Sequence, residues 1–99
     1  MNIDPGTTSS SITISYAVDK YLGNVTSARS ANTAHTYRFA LRAFLDLLSD
    51  HQIDVKNTPV IELGEDSIAW FAAWLKDYSP ATEQLYLTAA AGFFEFLAA

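Results

Sequence analysis

The basic side chains of this chain are concentrated in one short segment, where their spacing suits the binding of an anion. All three arginines, Arg29, Arg38 and Arg42, lie within "SARSANTAHTYRFALRAFLDLL", residues 27–48. On a helix His35, Arg38 and Arg42 would share one side, because they follow at spacings of three and four. Arginine donates forked hydrogen bonds to phosphate and to guanine edges. The pattern is compatible with a weak contact to a polyanion, and a solvated helix face explains it equally well.

The charge of the whole chain contrasts with this segment. The 99 residues carry a net charge of −5, whereas a nucleic-acid-binding domain is ordinarily basic. Residues 20 to 42 contain Lys20 and the three arginines and no acid. Residues 43 to 99 carry nine acidic side chains against Lys56 and Lys76. The sequence therefore predicts a local positive surface on an acidic body.

Catalytic and metal-binding patterns are not visible in the sequence. The chain has no cysteine, which excludes disulfides, thiolate metal sites and cysteine nucleophiles. Neither His35 nor His51 has carboxylates at the spacing that a metal site requires. The pair Glu65–Asp66 is typical of a helix start, where the helix dipole favours negative charge. We predict no catalytic residue, no metal ligand and no cofactor, and a self-contained helical enzyme is poorly supported.

Apolar residues recur with helical period in four segments. The first predicted helix runs from about Thr13 to Gly23, and Gly23 ends it. The second has Ser30 as its N-cap, and its apolar face consists of Tyr37, Leu41, Phe44, Leu45 and Leu48. The third follows Gly64, with the core residues Ile68, Phe71, Ala72 and Leu75. The fourth begins at Ser79–Pro80 and turns inward Leu85, Ala89, Gly92, Phe93 and Phe96.

The remaining segments are a leader and a connection. Residues 1–12 are rich in Ser and Thr and predict a flexible leader, and residues 50–63, which include Pro59, predict a connection. Trp70 and Trp74 lie off the core stripe of the third helix, so they either pack in the core or form a surface for another domain or protomer. The chain is predicted to be one all-α domain over residues 13–99. It has no run long enough for a membrane span and no signal peptide, so we expect a cytoplasmic location.

Three stretches together carry a resemblance to a known family. "SANTAHTYRFALRAFLDLL", with the pattern S-x-N-T-x-x-x-Y-x-x-x-L-x-x-F-L-x-x-L, resembles the second helix of the N-terminal core-binding domain of tyrosine recombinases, the phage integrase family. "VIELGEDSIAWFAAWL" and "SPATEQLYLTAAAGFFEFL" are similar to the third and fourth helices of that domain. The resemblance covers about residues 13 to 98, with the stretches in the family's order.

The resemblance implies a fold and partners. The family's core-binding domain is an orthogonal, SAM-like bundle of four helices, or five, that contacts one face of double-stranded recombination-site DNA. A separate catalytic domain holds the other face and is expected beyond residue 99, and the family works as tetramers on DNA. The matched DNA-binding positions lie on the second and fourth helices: Ser30, Asn32, Thr33, His35, Arg38, Arg42, Thr82, Gln84 and Thr88. Ser30 and Thr33 stand where backbone N–H groups could meet a phosphate.

The fourth helix departs from the family pattern. Family members often place basic residues near the positions of Ala91 and Gly92, where this chain has "TAAAG", with Glu95 one turn later. Contact by this helix would then be limited to Thr82, Gln84 and Thr88. A small acidic helical module that binds another protein, with no role on DNA, remains the alternative.

Overall fold

A computed structural model describes residues 12–99 and shows four α-helices: α1 (Ile14–Ala28), α2 (Ala31–Asp50), α3 (Asp66–Trp74) and α4 (Pro80–Ala98). Short 3₁₀ helices span Val60–Glu62 and Leu75–Asp77. The described residues contain no strand beyond an isolated bridge between Thr13 and Pro59. The predicted all-α class is confirmed. The leader predicted over residues 1–12 lies outside the described residues, except for Ile12.

The first helix is longer than the sequence predicted. Gly23 does not end α1, which continues for five more residues to Ala28. The reason is that Val25 is buried and extends the inward stripe of Ile14, Val18 and Tyr21 by one more turn. An exposed glycine inside a helix costs only about 0.5–1 kcal/mol, which the packing of that turn outweighs.

Matching caps start the two longest helices, α2 and α4. Ser30 Oγ accepts a hydrogen bond from the Thr33 N–H at 3.2 Å, and Ser79 Oγ accepts one from the Thr82 N–H at the same distance. Each cap occupies one of the N–H groups that have no partner within the helix. The predicted starts of both helices are confirmed.

Aromatic side chains hold the four helices together. The buried Phe44 of α2 lies with its ring centre 5.2 Å from that of Phe71 on α3 and 6.5 Å from that of Phe93 on α4. Phe93 in turn lies 5.6 Å from Tyr21 of α1. These four rings therefore connect every helix of the bundle, and aromatic pairs at such separations add to the stabilisation from burial alone.

A close contact joins α1 to the carboxyl-terminal half of α4. The Tyr21 hydroxyl donates a hydrogen bond of 3.1 Å to the Ala89 carbonyl. Gly92 faces the same hydroxyl, and a Cβ at this position would collide with it. Burial, together with the neighbouring Tyr37, raises the pKa of Tyr21 to about 12. The absence of a side chain at Gly92 is what lets the tyrosine reach the backbone of α4.

The connection between α2 and α3 supports the start of α1. The N–H groups of Ile14 and Ser15 donate to the carbonyls of Thr58 and Val55, and the Val60 N–H donates to Ile12 at 2.8 Å. Gln52, just after α2, has φ 68°, the left-handed conformation that is uncommon for residues other than glycine. The predicted connection is thus an ordered part of the domain.

Leu85 on α4 departs from the predicted core, whereas the two tryptophans of α3 follow one of the two interpretations given for them. Leu85 was expected to point inward but is 44% exposed, because α1 meets α4 further along, at Ala89, Gly92 and Phe96. Trp70 and Trp74 are half-buried and packed against the core. For the tryptophans, the core-packing interpretation therefore holds for part of each side chain.

Candidate nucleic-acid interface

The outward side of α2 carries the basic side chains. The opposite side of the helix is fixed in the core by seven buried residues: Ala34, Tyr37, Ala40, Leu41, Phe44, Leu47 and Leu48. His35, Arg38 and Arg42 are exposed, as their spacing predicted, and we refer to these three residues as the basic face. Asp46 follows Arg42 by one turn and is also exposed, so the basic face is confined to the amino-terminal part of α2.

Arg38 and Arg42 stand beside α1. They line a shallow groove of about 220 Å³ whose other walls are Val18, Leu22 and Leu45, with Asp19 at its edge. Apolar walls support the aliphatic parts of the arginine side chains while the guanidinium groups remain in solvent. The groove therefore presents two forked donors side by side, partly offset by one carboxylate.

Arg29 is separate from the other two arginines. Its guanidinium lies over the Tyr37 ring, 5.7 Å from the ring centre. It lines a different groove, between α1 and the end of α4, together with Gly92 and Glu95. The sequence placed all three arginines in one segment, but the structure divides them between two surfaces.

The polar residues at the amino end of α2 are engaged within the helix. The Ser30 hydroxyl donates to Thr33 Oγ1 at 3.0 Å, and its oxygen already accepts from the Thr33 N–H. That N–H is therefore not available to the phosphate that the sequence predicted there. Asn32 is exposed, and its side chain lies on the same end of the helix.

Two of the three predicted positions on α4, Gln84 and Thr88, belong to a second surface. Thr82 is half-buried, its N–H donates the N-cap bond to Ser79 Oγ, and its Oγ1 accepts a hydrogen bond from the Ser79 hydroxyl. Gln84 and Thr88 line a shallow groove together with Leu87. This groove shares no residue with the one beside Arg38 and Arg42. The structure does not bring the predicted DNA-binding residues of α2 and α4 together, because the two helices pack through their inner faces and these residues lie on their outer faces.

One exposed aromatic residue was not singled out in the sequence. Phe39 is 48% exposed and stands between Arg38 and Arg42 along α2. The His35 ring lies edge-on to it, with ring centres 4.7 Å apart and an interplanar angle of 87°. The sequence signal that could have identified Phe39 is an apolar residue one turn after His35 on an otherwise polar side of the helix.

No metal-ligand cluster and no membrane-crossing helix is found within residues 12–99. No three side chains of the usual ligand types are close enough together there to hold a metal ion. His51 instead stacks on Trp70, with ring centres 4.1 Å apart and an interplanar angle of 4°. None of the helices in this range combines the length and apolar character that a membrane crossing needs.

These features define a four-helix domain with a basic patch on the outward side of its longest helix. Residues 18–99 match the family described as phage integrase, N-terminal SAM-like domain. The chain belongs to this family, which comprises the non-catalytic amino-terminal part of integrases. No significant match was found among curated proteins or among solved structures.

Proposed function

We propose that this domain binds double-stranded DNA at a recombination site and positions it for a catalytic domain of the same site-specific recombinase. The basic face of α2 makes the main contact, chiefly with phosphates. The family supports the recombinase context. The proposed contact with phosphates rests on the exposed side chains of the basic face.

The exposure of Arg38 and Arg42 on one groove is the observation that carries this proposal. Between Lys20 and Leu45 the sequence has no acidic residue, and the two guanidinium groups are offset by Asp19, which lines the groove, and by Asp46, one turn after Arg42. Two guanidinium groups one turn apart can reach successive phosphates of one strand, and each contact releases condensed counterions.

The acidic remainder of the domain limits the strength of this contact. With a net charge of −5, most of the surface repels DNA, so only an orientation that presents the basic face is favourable. We propose that tight binding needs the catalytic domain on the other face of the duplex and further protomers in a tetramer. Gln84 and Thr88 would then contact neighbouring DNA or protein, since they line a groove separate from that of Arg38 and Arg42.

Fluorescence anisotropy of a labelled duplex at several salt concentrations tests the proposal. If about two to three phosphates are neutralised, the logarithm of the binding constant falls against the logarithm of salt with a slope of roughly −2 to −3. Dissociation constants of about 10⁻⁴ to 10⁻⁶ M are expected, as for non-specific binding. Absence of salt-dependent binding at low salt would contradict the proposal.

A protein-binding module is the second candidate, and a groove between α3 and α4 favours it. This groove has a volume of about 690 Å³ and is lined mainly by apolar and small side chains, including Ala72, Leu87 and Phe94. Glu65 and Glu95 also line it. An apolar groove with acidic groups suits a basic amphipathic helix. The salt titration separates the two candidates, because this groove offers nothing to DNA.

A further inference from the structure

Phe39 is an unusual residue to find beside the basic face of α2. Nearly half of its side chain is exposed, although Phe44, five residues later on the same helix, is fully buried. Single exposed apolar residues are common and need no functional explanation by themselves. The position of Phe39 is what distinguishes it, because it projects from the outward side of α2 beside His35, one turn earlier, and Arg42, three residues later, which also reach solvent.

The orientation of the Phe39 ring is set before any partner arrives. His35, one turn earlier, lies edge-on to the ring at 4.7 Å. This T-shaped arrangement is a favourable geometry for an aromatic pair. The imidazole covers one part of the ring and leaves the rest open to solvent. A ring held in this way loses little conformational freedom when it contacts a ligand.

We propose that Phe39 is a base-reading residue, which contacts the 5-methyl group of thymine in the major groove while the basic face holds the phosphates. The inference rests on the proposed DNA-binding function. An α-helix fits the major groove, where thymine is the one base that presents a methyl group. Phosphate contacts carry no sequence information, so an apolar contact adds a preference that the arginines cannot supply.

The geometry of α2 is consistent with a helix that enters the groove by its amino-terminal half. Arg42 follows Phe39 by three residues and lies beside it on the helix surface, whereas Arg38 lies about 100° around the helix from Phe39. The arginines can therefore reach the strand that borders the groove while the ring points to the base edges. Asp46 stands one turn beyond Arg42 and would be repelled by phosphates. Contact therefore ends before the carboxyl-terminal turns of α2.

The test compares two duplexes that differ only in the thymine methyl group. Anisotropy titrations use one mixed-sequence duplex and the same duplex with uracil in place of every thymine. The wild-type protein should bind the thymine duplex about fourfold more tightly, the factor expected for burying one methyl-sized group. Phe39→Ala should remove this preference and weaken binding to the thymine duplex, with an unchanged salt slope, because no phosphate contact is lost.

Two control variants complete the design. Ile61→Ala removes another exposed apolar side chain, 68% exposed and located in the 3₁₀ helix Val60–Glu62 rather than on α2, and should leave the thymine preference intact. Phe39→Leu keeps an apolar group and should retain part of the preference. Because Phe39 and Ile61 are both exposed, all of these variants should fold, and circular dichroism is the check.

The outcomes separate the inference from the proposed function. A normal salt slope with equal binding of both duplexes, or a preference that survives in Phe39→Ala, would overturn the role of Phe39 and leave the phosphate contact standing. Loss of salt-dependent binding in the wild-type protein would overturn both. A preference abolished by Phe39→Ala and kept in Ile61→Ala supports the base-reading role.

Discussion

The helices α2 and α4 are alike in their inner faces and differ in their outer faces. They contain 20 and 19 residues, begin with the same Ser-x-x-Thr cap and bury a phenylalanine each, Phe44 and Phe93. The outer side of α2 presents His35, Arg38 and Arg42, whereas the only charged residues of α4 are Glu83 and Glu95. The two helices therefore share the features that build the fold, whereas the charge that suits DNA is confined to α2.

The inner faces should therefore be equally sensitive to truncation. Phe44→Ala and Phe93→Ala each remove a fully buried ring and leave a cavity, at a cost of about 3–5 kcal/mol in the free energy of unfolding. Such a loss unfolds much of a domain of this size. Urea denaturation followed by circular dichroism measures it. A full cooperative transition at the wild-type midpoint in either variant would show that the corresponding face is not core.

Adding a single methyl group at the contact between α1 and α4 should change the stability of the domain. Gly92→Ala places a Cβ against the Tyr21 hydroxyl and should destabilise the domain by about 1–3 kcal/mol, the range for overpacking. The matched control is Gly23→Ala on α1, where a Cβ would meet no neighbour within 4 Å. That change should stabilise the domain by about 0.5–1 kcal/mol.

Thermal melts of both glycine variants provide the measurement. Opposite shifts of the melting temperature are expected. Equal shifts would show that the Tyr21 hydroxyl does not fill the space beside Gly92.

Alkaline pH should weaken the same contact. The pKa of Tyr21 is raised to about 12 by burial and by Tyr37, whereas an unfolded tyrosine ionises near 10. Between these values the folded state keeps a proton that the unfolded state has lost, so stability falls as the pH rises from about 10 to about 12. The loss is at most about 2 to 3 kcal/mol.

The variant Tyr21→Phe isolates this effect from the other titrating groups. It has no hydroxyl to ionise at this position, so its stability should fall less steeply over the same pH range. Urea unfolding at a series of pH values gives the two curves. Parallel curves for wild type and Tyr21→Phe would contradict the assignment.

The sequence predicted the elements well because each helix has a strong local signal. Ser30 and Ser79 marked the two long helices through their caps, and the apolar period of α2 identified its buried side. Prediction from the sequence failed where the end of a helix or the burial of a residue depends on what packs against that helix. Gly23 lies inside α1 because Val25 is buried, and Leu85 is exposed because α1 meets α4 further along.

The candidate site shows the same division between local and tertiary information. Helical spacing predicted correctly that Arg38 and Arg42 point away from the core. The spacing alone could not show that Arg29 lies over Tyr37, or that Gln84 and Thr88 lie in a groove apart from the arginines. Those facts depend on how the helices pack against one another.

The most direct test of the difference between α2 and α4 is a salt titration of DNA binding by two matched double variants. Arg38→Ala with Arg42→Ala should flatten the salt slope by about two units, since each arginine accounts for nearly one. Gln84→Ala with Thr88→Ala on α4 should leave the slope at the wild-type value, because these side chains carry no charge. Both variants change exposed positions, so their stabilities should stay within about 0.5 kcal/mol of the wild type. A slope for the arginine variant equal to that of the wild type would contradict the account.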